Sequence, residues 1–72
     1  MFGNFIKTFR TMSKLSQEEF GRRLGVTQPT IFAWENDKSQ PTMGHFLTMV
    51  EMGASMDFLL YGKGSPFQRI SA

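Results

Sequence analysis

Very few side chains of this 72-residue chain belong to the types that covalent catalysis or metal binding requires. His45 is the only histidine, no nucleophile motif accompanies it, and the chain has no cysteine. Catalytic zinc usually has histidine or cysteine ligands, so a metal site here would need carboxylates alone. We therefore predict that the chain is not an enzyme and takes no metal, cofactor or small-molecule substrate. His45 is then a surface or partly buried residue of a helix.

The segment 17–36, QEEFGRRLGVTQPTIFAWEN, carries the most specific pattern of apolar spacing in the chain. Phe20 and Leu24 lie four residues apart, which places them on one face of a helix. Ile31 and Trp34 lie three residues apart and mark the inward face of a second helix. Two short helices in close succession are therefore expected here.

Two glycines suit the junction between these helices. Gly25 can adopt a positive φ without steric cost, so it can end the first helix abruptly. Gly21 falls where the second helix must cross closely over the first. Together with the apolar spacing, the glycines predict a helix-turn-helix unit, whose second helix is the one offered to a DNA major groove. Small helical proteins of other kinds also have glycines between amphipathic helices, and a fold alone does not fix a function.

Capping residues divide the chain into five helices. Ser16 and Glu19 form a capping box. Pro29 suits the first turn of a helix, because the N–H groups of that turn have no intrahelical acceptor and the lack of an N–H in proline costs no hydrogen bond. The predicted helices cover about residues 4–13, 16–24, 27–36, 42–52 and 56–61, with N-caps at Asn4, Ser16, Thr27, Thr42 and Ser55. This pattern predicts a compact all-α domain over residues 1–62. Residues 63–72 are expected to form a short, frayed C-terminal tail.

Packing must stabilise this domain, since the chain has no disulfide. Eight phenylalanines, six methionines and one tryptophan are a generous apolar supply for the purpose. The predicted core consists of Phe5, Ile6, Phe9, Leu15, Phe20, Leu24, Val26, Ile31, Trp34, Phe46, Leu47, Val50, Met56, Leu59 and Leu60.

The charge and hydropathy of the chain restrict its surroundings. A formal net charge of +2 permits attraction to phosphate but does not require it. No apolar run approaches the length of a membrane span, and the first ten residues lack the apolar region of a secretion signal. We therefore expect a soluble cytoplasmic protein that does not engage a membrane.

At the level of motifs, the sequence resembles the Cro/CI-type helix-turn-helix family of phage repressors and bacterial regulators. The resemblance rests on LSQEEFGRRLGVTQPTIFAWEN, on Pro41 after a polar loop, and on MDFLLYG, and it extends over residues 5–62. It implies a five-helix lambda-repressor-like DNA-binding fold. Among the members of the family, the chain is similar to small stand-alone proteins of lysogeny switches, the Cro and anti-repressor types.

This resemblance also implies roles for individual residues. Gln17 would donate to a DNA phosphate and orient Gln28, which would make a bidentate contact to N6 and N7 of adenine. Asn36 and nearby backbone N–H groups would contact phosphate. Arg10 and Glu35 match a structural ion pair that joins the first and third helices.

The outward face of the predicted recognition helix departs from the family pattern. Pro29 and Ala33 offer no side-chain hydrogen bond. Phe32 could contact a thymine methyl group, anchor a protein partner, or fold back onto its own domain. The residues predicted to face DNA are Gln17, Gln28, Pro29, Thr30, Phe32, Ala33, Asn36 and Lys38.

Two functions remain open at this point. The first is a transcriptional regulator of a phage lysogeny switch, which binds double-stranded operator DNA through residues 28–36 as a homodimer. The second is an anti-repressor, which uses the same surface to bind a cognate phage repressor. The residues predicted to contact a partner protein are Pro29, Phe32, Ala33, Met56 and Leu59, and the dimer contact would use Met56, Leu59, Phe67 and Ile70.

Overall fold

The computed structural model describes residues 1–69, which form five α-helices and no extended sheet. The helices are α1 (Gly3–Met12), α2 (Gln17–Leu24), α3 (Gln28–Glu35), α4 (Met43–Glu51) and α5 (Met56–Tyr61). The predicted all-α class and the order of the five helices are confirmed. No helix within residues 1–69 has the length and apolar character needed to cross a membrane.

The turn between α2 and α3 is built as the two glycines predict. Gly25 has φ +72°, and the Val26 N–H donates to the Gly21 carbonyl at 2.9 Å. A Cβ on Gly21 would lie 2.7 Å from the Val26 carbonyl oxygen, closer than a side chain allows. The absence of side chains at these two positions is therefore what lets α3 begin directly against α2.

Hydrogen bonds at the helix starts agree with the sequence in part. Ser16 forms its capping box with Glu19, and Thr42 forms an equivalent one in which His45 Nδ1 accepts from the Thr42 N–H at 3.1 Å. Ser55 also caps as expected. Thr27 occupies the N-cap of α3 without capping it, because its hydroxyl pairs with that of Thr30 at 3.0 Å.

The predicted cap of α1 is wrong. The helix starts at Gly3 with Phe2 at the N-cap, and the Gly3 N–H donates to the Asp37 carboxylate at 3.0 Å. Asp37 also accepts from the Met1 ammonium group and adopts φ +57° in the loop after α3. A Cβ on Gly3 would lie 2.6 Å from the backbone oxygens of Trp34 and Glu35. The start of α1 is thus fixed against the end of α3 by a residue distant in sequence.

The capping box makes α2 sensitive to acid. The Ser16 N–H donates to Glu19 at 2.9 Å, and this bond, helped by the Ser16 hydroxyl and by nearby arginines, lowers the pKa of Glu19 below 4.5. A carboxyl whose pKa is lower in the folded state stabilises above its unfolded pKa, and that contribution is lost as the pH falls through the folded pKa. Below pH 4.5 we therefore expect the free energy of unfolding to fall more steeply in the wild type than in Glu19→Gln, which keeps the box without a titrating group. Urea titrations across this range test it, and equal slopes in the two proteins would contradict it.

The core lies where the faces of the five helices meet. Its buried hydrophobic side chains are Ile6, Phe9, Phe20, Leu24, Ile31, Trp34, Phe46, Met49, Ala54 and Leu59. The other predicted members, apart from Leu47, are half-buried: Phe5, Leu15, Val26, Val50, Met56 and Leu60. The placement of Leu47 in the core is wrong, because α4 turns Phe46 and Met49 inward and leaves Leu47 52% exposed.

Residues 66–68 of the tail pack against the domain, contrary to the frayed tail expected. Phe67 packs against Phe9, with ring centroids 5.5 Å apart, and Ala54 and Phe67 form an isolated antiparallel bridge. The Ser55 N–H donates to the Pro66 carbonyl at 2.9 Å and the Gln68 N–H to the Gly53 carbonyl at 2.8 Å. The tail therefore closes one end of the core. Ile70, predicted to contact a second copy, lies outside the described residues.

Candidate nucleic-acid interface

The rotation of α3 determines which of its side chains can meet another molecule. Ile31 and Trp34 are 0% and 3% exposed, so they face the core as predicted. The opposite face bears the exposed residues Gln28, Pro29, Phe32 and Asn36, with Thr30 and Ala33 half-buried at its edges. Of the α3 residues predicted to contact another molecule, Gln28, Pro29, Phe32 and Asn36 are therefore accessible, and Thr30 and Ala33 are only partly so.

Behind this face, a buried ion pair connects α1 to α3. Arg10 Nε donates to Glu35 Oε2 at 2.5 Å, and its Nη2 donates to Glu35 Oε1 at 3.1 Å. The side chains are 10% and 2% exposed. Arg10 Nη1 also donates to the Leu15 carbonyl at 2.9 Å, which connects the pair to the segment before α2. Bidentate geometry of this kind makes the pair a rigid support rather than a flexible surface contact.

A relay of amide groups runs from this ion pair to the surface. Gln17 Nε2 donates to Glu35 Oε1 at 3.0 Å, and Gln28 Nε2 donates to Gln17 Oε1 at 2.6 Å. The second of these hydrogen bonds has the partners implied by the family resemblance, in which Gln17 orients Gln28. The first is not indicated by the sequence, because nothing in the spacing connects Gln17 with Glu35.

Two further residues predicted to face DNA, Asn36 and Lys38, lie at the end of α3 and in the loop that follows it. Asn36, at the C-cap of α3, donates its side-chain amide to the Phe32 carbonyl at 2.9 Å. Lys38 Nζ lies 5.9 Å from the centre of the Phe32 ring, within the range of a cation–π contact. Phe32 itself is 46% exposed, so it does not fold back into its own domain.

The electrostatic character of this surface is mild. No residue of α3 is basic, and its one acidic residue, Glu35, is engaged by Arg10. Arg22 and Arg23 of α2 are exposed, but Arg22 forms an ion pair with Glu18 at 3.1 Å. A surface with few free cations attracts a polyanion weakly.

The residues outside α3 that are predicted to contact a partner protein are buried or packed within the domain. Leu59 is fully buried in the core, so its prediction as a partner or dimer contact is wrong. Phe67 is engaged by its own domain through Phe9. Met56 is half-buried and packs against the core. The six residues of α5 are mostly apolar, so the spacing of apolar residues could not show which of them face the core and which face solvent.

The five α-helices and the tight α2–α3 turn define an all-α helix-turn-helix domain, and the comparisons with known proteins show that its fold is lambda-repressor-like. The model of the Helix-turn-helix family matches residues 6–51, and the chain belongs to this family, as the Cro/CI-type motifs implied. This is a family of DNA-binding domains and not of enzymes, which confirms the non-enzymatic prediction.

Among solved structures, the chain is similar to the P22 c2 repressor protein, determined in complex with synthetic operator 9T in the presence of Tl⁺. The sequences are 28% identical, the TM-score is 0.77, and the alignment covers 88% of this chain and 97% of the repressor chain. The likeness therefore includes nearly the whole of the compared repressor chain. Comparison with curated protein sequences gives no significant match.

Proposed function

We propose that this protein is a sequence-specific transcriptional regulator of a phage lysogeny-type switch, which inserts α3 into the major groove of operator DNA. The observation that carries the proposal is Gln28, exposed in the first turn of α3 and held by the amide of Gln17. An amide fixed at the start of a recognition helix is placed to meet a base edge. The structural likeness to a repressor determined with its operator supports the same function.

Each outward residue has a part in this complex. Gln28 contacts adenine N6 and N7, while Gln17 donates to a phosphate near the N-terminus of α2. Asn36 and Lys38 reach the sugar–phosphate backbone from the end of α3. The remaining face, Pro29, Thr30, Phe32 and Ala33, supplies apolar contact to thymine methyl groups. Binding as a homodimer would place two half-sites about 34–36 Å apart, and no cofactor is needed.

Gln28→Ala tests this function directly. Selection from random duplexes defines the preferred site of the wild type, and dissociation constants are then measured for every single base-pair substitution. In the variant we expect discrimination to disappear at one base pair, a loss of about 1–3 kcal/mol, with the other positions retained. Gln40→Ala, which removes an exposed glutamine from the loop after α3, should leave every base preference in place. A wild type that prefers no duplex over competitor DNA at low salt would refute the proposal.

The second candidate function is an anti-repressor that binds a cognate phage repressor through the same face. It is favoured by Phe32, an aromatic ring 46% exposed between Pro29 and Ala33, on a helix with no basic residue. Aromatic side chains dominate the binding energy of protein interfaces, whereas DNA-reading helices are expected to be polar.

Phe32→Ala separates the two functions. If Phe32 is an interface anchor, its removal should weaken capture of the cognate repressor by about 2 kcal/mol or more, while DNA binding through Gln28 falls less. Leu47→Ala, at an exposed apolar side chain on α4, is the matched control and should leave capture intact. Calorimetric titration of the purified repressor measures both variants, and absence of any binding by the wild type would eliminate this candidate.

A further inference from the structure

We infer that the Glu35 carboxylate sets the direction in which the Gln28 amide meets a base pair, and so enables the protein to distinguish adenine on one DNA strand from adenine on the other. This inference rests on the proposed DNA-binding function. It makes Glu35 a positioning residue for specificity, in addition to its part in the ion pair with Arg10.

The argument starts from a difference between a carboxylate and an amide. A carboxylate paired with a guanidinium group can only accept hydrogen bonds, whereas a glutamine amide has a donor end and an acceptor end. Glu35 Oε1 lies 3.0 Å from the Gln17 amide, so the end that faces it must be the NH2 group. The Gln17 oxygen is consequently turned the other way, toward α3.

The fixed orientation of the Gln17 amide also fixes the orientation of the exposed Gln28 amide. The Gln17 oxygen lies 2.6 Å from the Gln28 amide, and this requires that Gln28 also present its NH2 group. If the Gln28 amide turned through 180°, two oxygens would face each other without a proton between them. The remaining groups of Gln28, one N–H and the carbonyl oxygen, therefore have a fixed order on the exposed face of α3.

A fixed order of donor and acceptor has a consequence in the major groove. An A·T pair presents the acceptor N7 and the donor N6 of adenine before thymine O4, and a T·A pair presents them in the reverse order. A freely rotating glutamine can turn to suit either order. One held by Gln17 and Glu35 matches the N7 and N6 edge of adenine on only one strand, so the relay adds strand discrimination to a simple preference for adenine.

Glu35→Gln weakens this constraint with a minimal change of shape. The carboxylate offers two oxygens to Arg10 Nε, Arg10 Nη2 and Gln17 Nε2, whereas the new side chain has a single oxygen, so the three donors compete for one acceptor. Gln17 is then no longer required to present its NH2 group to residue 35, and the Gln28 amide is released to turn. At the base pair where Gln28→Ala loses discrimination, we expect the ratio of the T·A to the A·T dissociation constant to fall at least about fivefold.

Two further variants complete the experiment. Gln17→Met breaks the relay without altering the Arg10–Glu35 pair, and it should reduce the same ratio while also weakening binding to all duplexes. Glu18→Gln is the matched control, because it makes the same change of charge on an exposed side chain bonded to Arg22. It should leave the ratio unchanged, whereas a purely structural defect in Glu35→Gln would weaken binding to both duplexes equally.

The outcomes separate this inference from the function on which it rests. A wild type without any DNA preference refutes the function itself. A specific wild type whose ratio is unchanged in Glu35→Gln and in Gln17→Met overturns the inference alone, and so does a wild type with no strand preference at that pair. If circular dichroism shows that Glu35→Gln is unfolded, the ratio in Gln17→Met decides: a reduced ratio supports the relay and an unchanged one overturns it.

Discussion

Arg10→Met is expected to lower the free energy of unfolding by about 3–5 kcal/mol, which approaches the whole stability of a domain this small. The variant leaves the Glu35 carboxylate 2% exposed with no guanidinium opposite it. It also removes the hydrogen bond from Arg10 to the Leu15 carbonyl. Removal of one partner of a buried pair is costly because the other charge remains desolvated. Urea titration at 25 °C, followed by circular dichroism, measures the loss.

The double variant Arg10→Met/Glu35→Leu shows whether the uncompensated charge is the cause. An apolar pair of similar volume leaves no buried charge behind, so most of the stability lost in Arg10→Met should return. Arg22→Met is the matched control, since its ion pair with Glu18 is exposed and should contribute about 1 kcal/mol or less. A single variant as stable as this control, or a double variant no better than the single one, would contradict our interpretation.

Phe9→Ala is the second change for which a large effect is expected, a loss of about 3–5 kcal/mol. Phe9 is fully buried, and its ring packs edge-on against Phe20 with the centroids 6.2 Å apart. It also supports Phe67 of the tail at 5.5 Å. The substitution thus removes apolar contacts from α2 and from the tail together and leaves a cavity between them.

Phe32→Ala provides the matched control for this prediction. It deletes the same ring from α3 at a position 46% exposed, so its effect on stability should be well under half of that for Phe9→Ala. Thermal and urea unfolding of both variants measure the difference. Similar losses in the two proteins would contradict the assignment of Phe9 to the core and of Phe32 to the surface.

The local features of the fold were predictable because they depend on neighbours in sequence. The Ser16 capping box, the positive φ of Gly25 and the inward faces of Ile31 and Trp34 all follow from residues within one or two helical turns. At these positions the preference of the local sequence and the tertiary structure agree.

The features that could not be predicted depend on contacts between distant segments. Asp37 fixes the start of α1 from the other end of α3, and Phe67 returns to pack on Phe9. In α4, Phe46 and Leu47 are equally apolar neighbours, and only the packing of the whole domain decides which of them turns inward. A single sequence offers no spacing rule for any of these contacts.

The candidate site divides in the same manner. Because Ile31 and Trp34 mark the inward face of α3, the helical period puts Gln28 and Phe32 on the outward face, and the structure has them exposed there. The hydrogen bond from Gln17 to Glu35 cannot be predicted from local sequence, because it joins the start of α2 to the end of α3. The sequence was thus sufficient to predict which side chains α3 exposes. The hydrogen bonds that hold Gln17 and Gln28 in place could be identified only from the folded structure.

The central claim is that α3 is the surface that meets DNA. Titration of the ¹⁵N-labelled protein with its selected duplex, followed by backbone and side-chain amide resonances, tests this claim most directly. We expect the largest shifts at residues 16–17 and 27–38, including the side-chain amides of Gln17 and Gln28, with little change on the exposed face of α4 around Leu47. Shifts that centre on α4 or α5, or no shifts in any region at low salt, would contradict it.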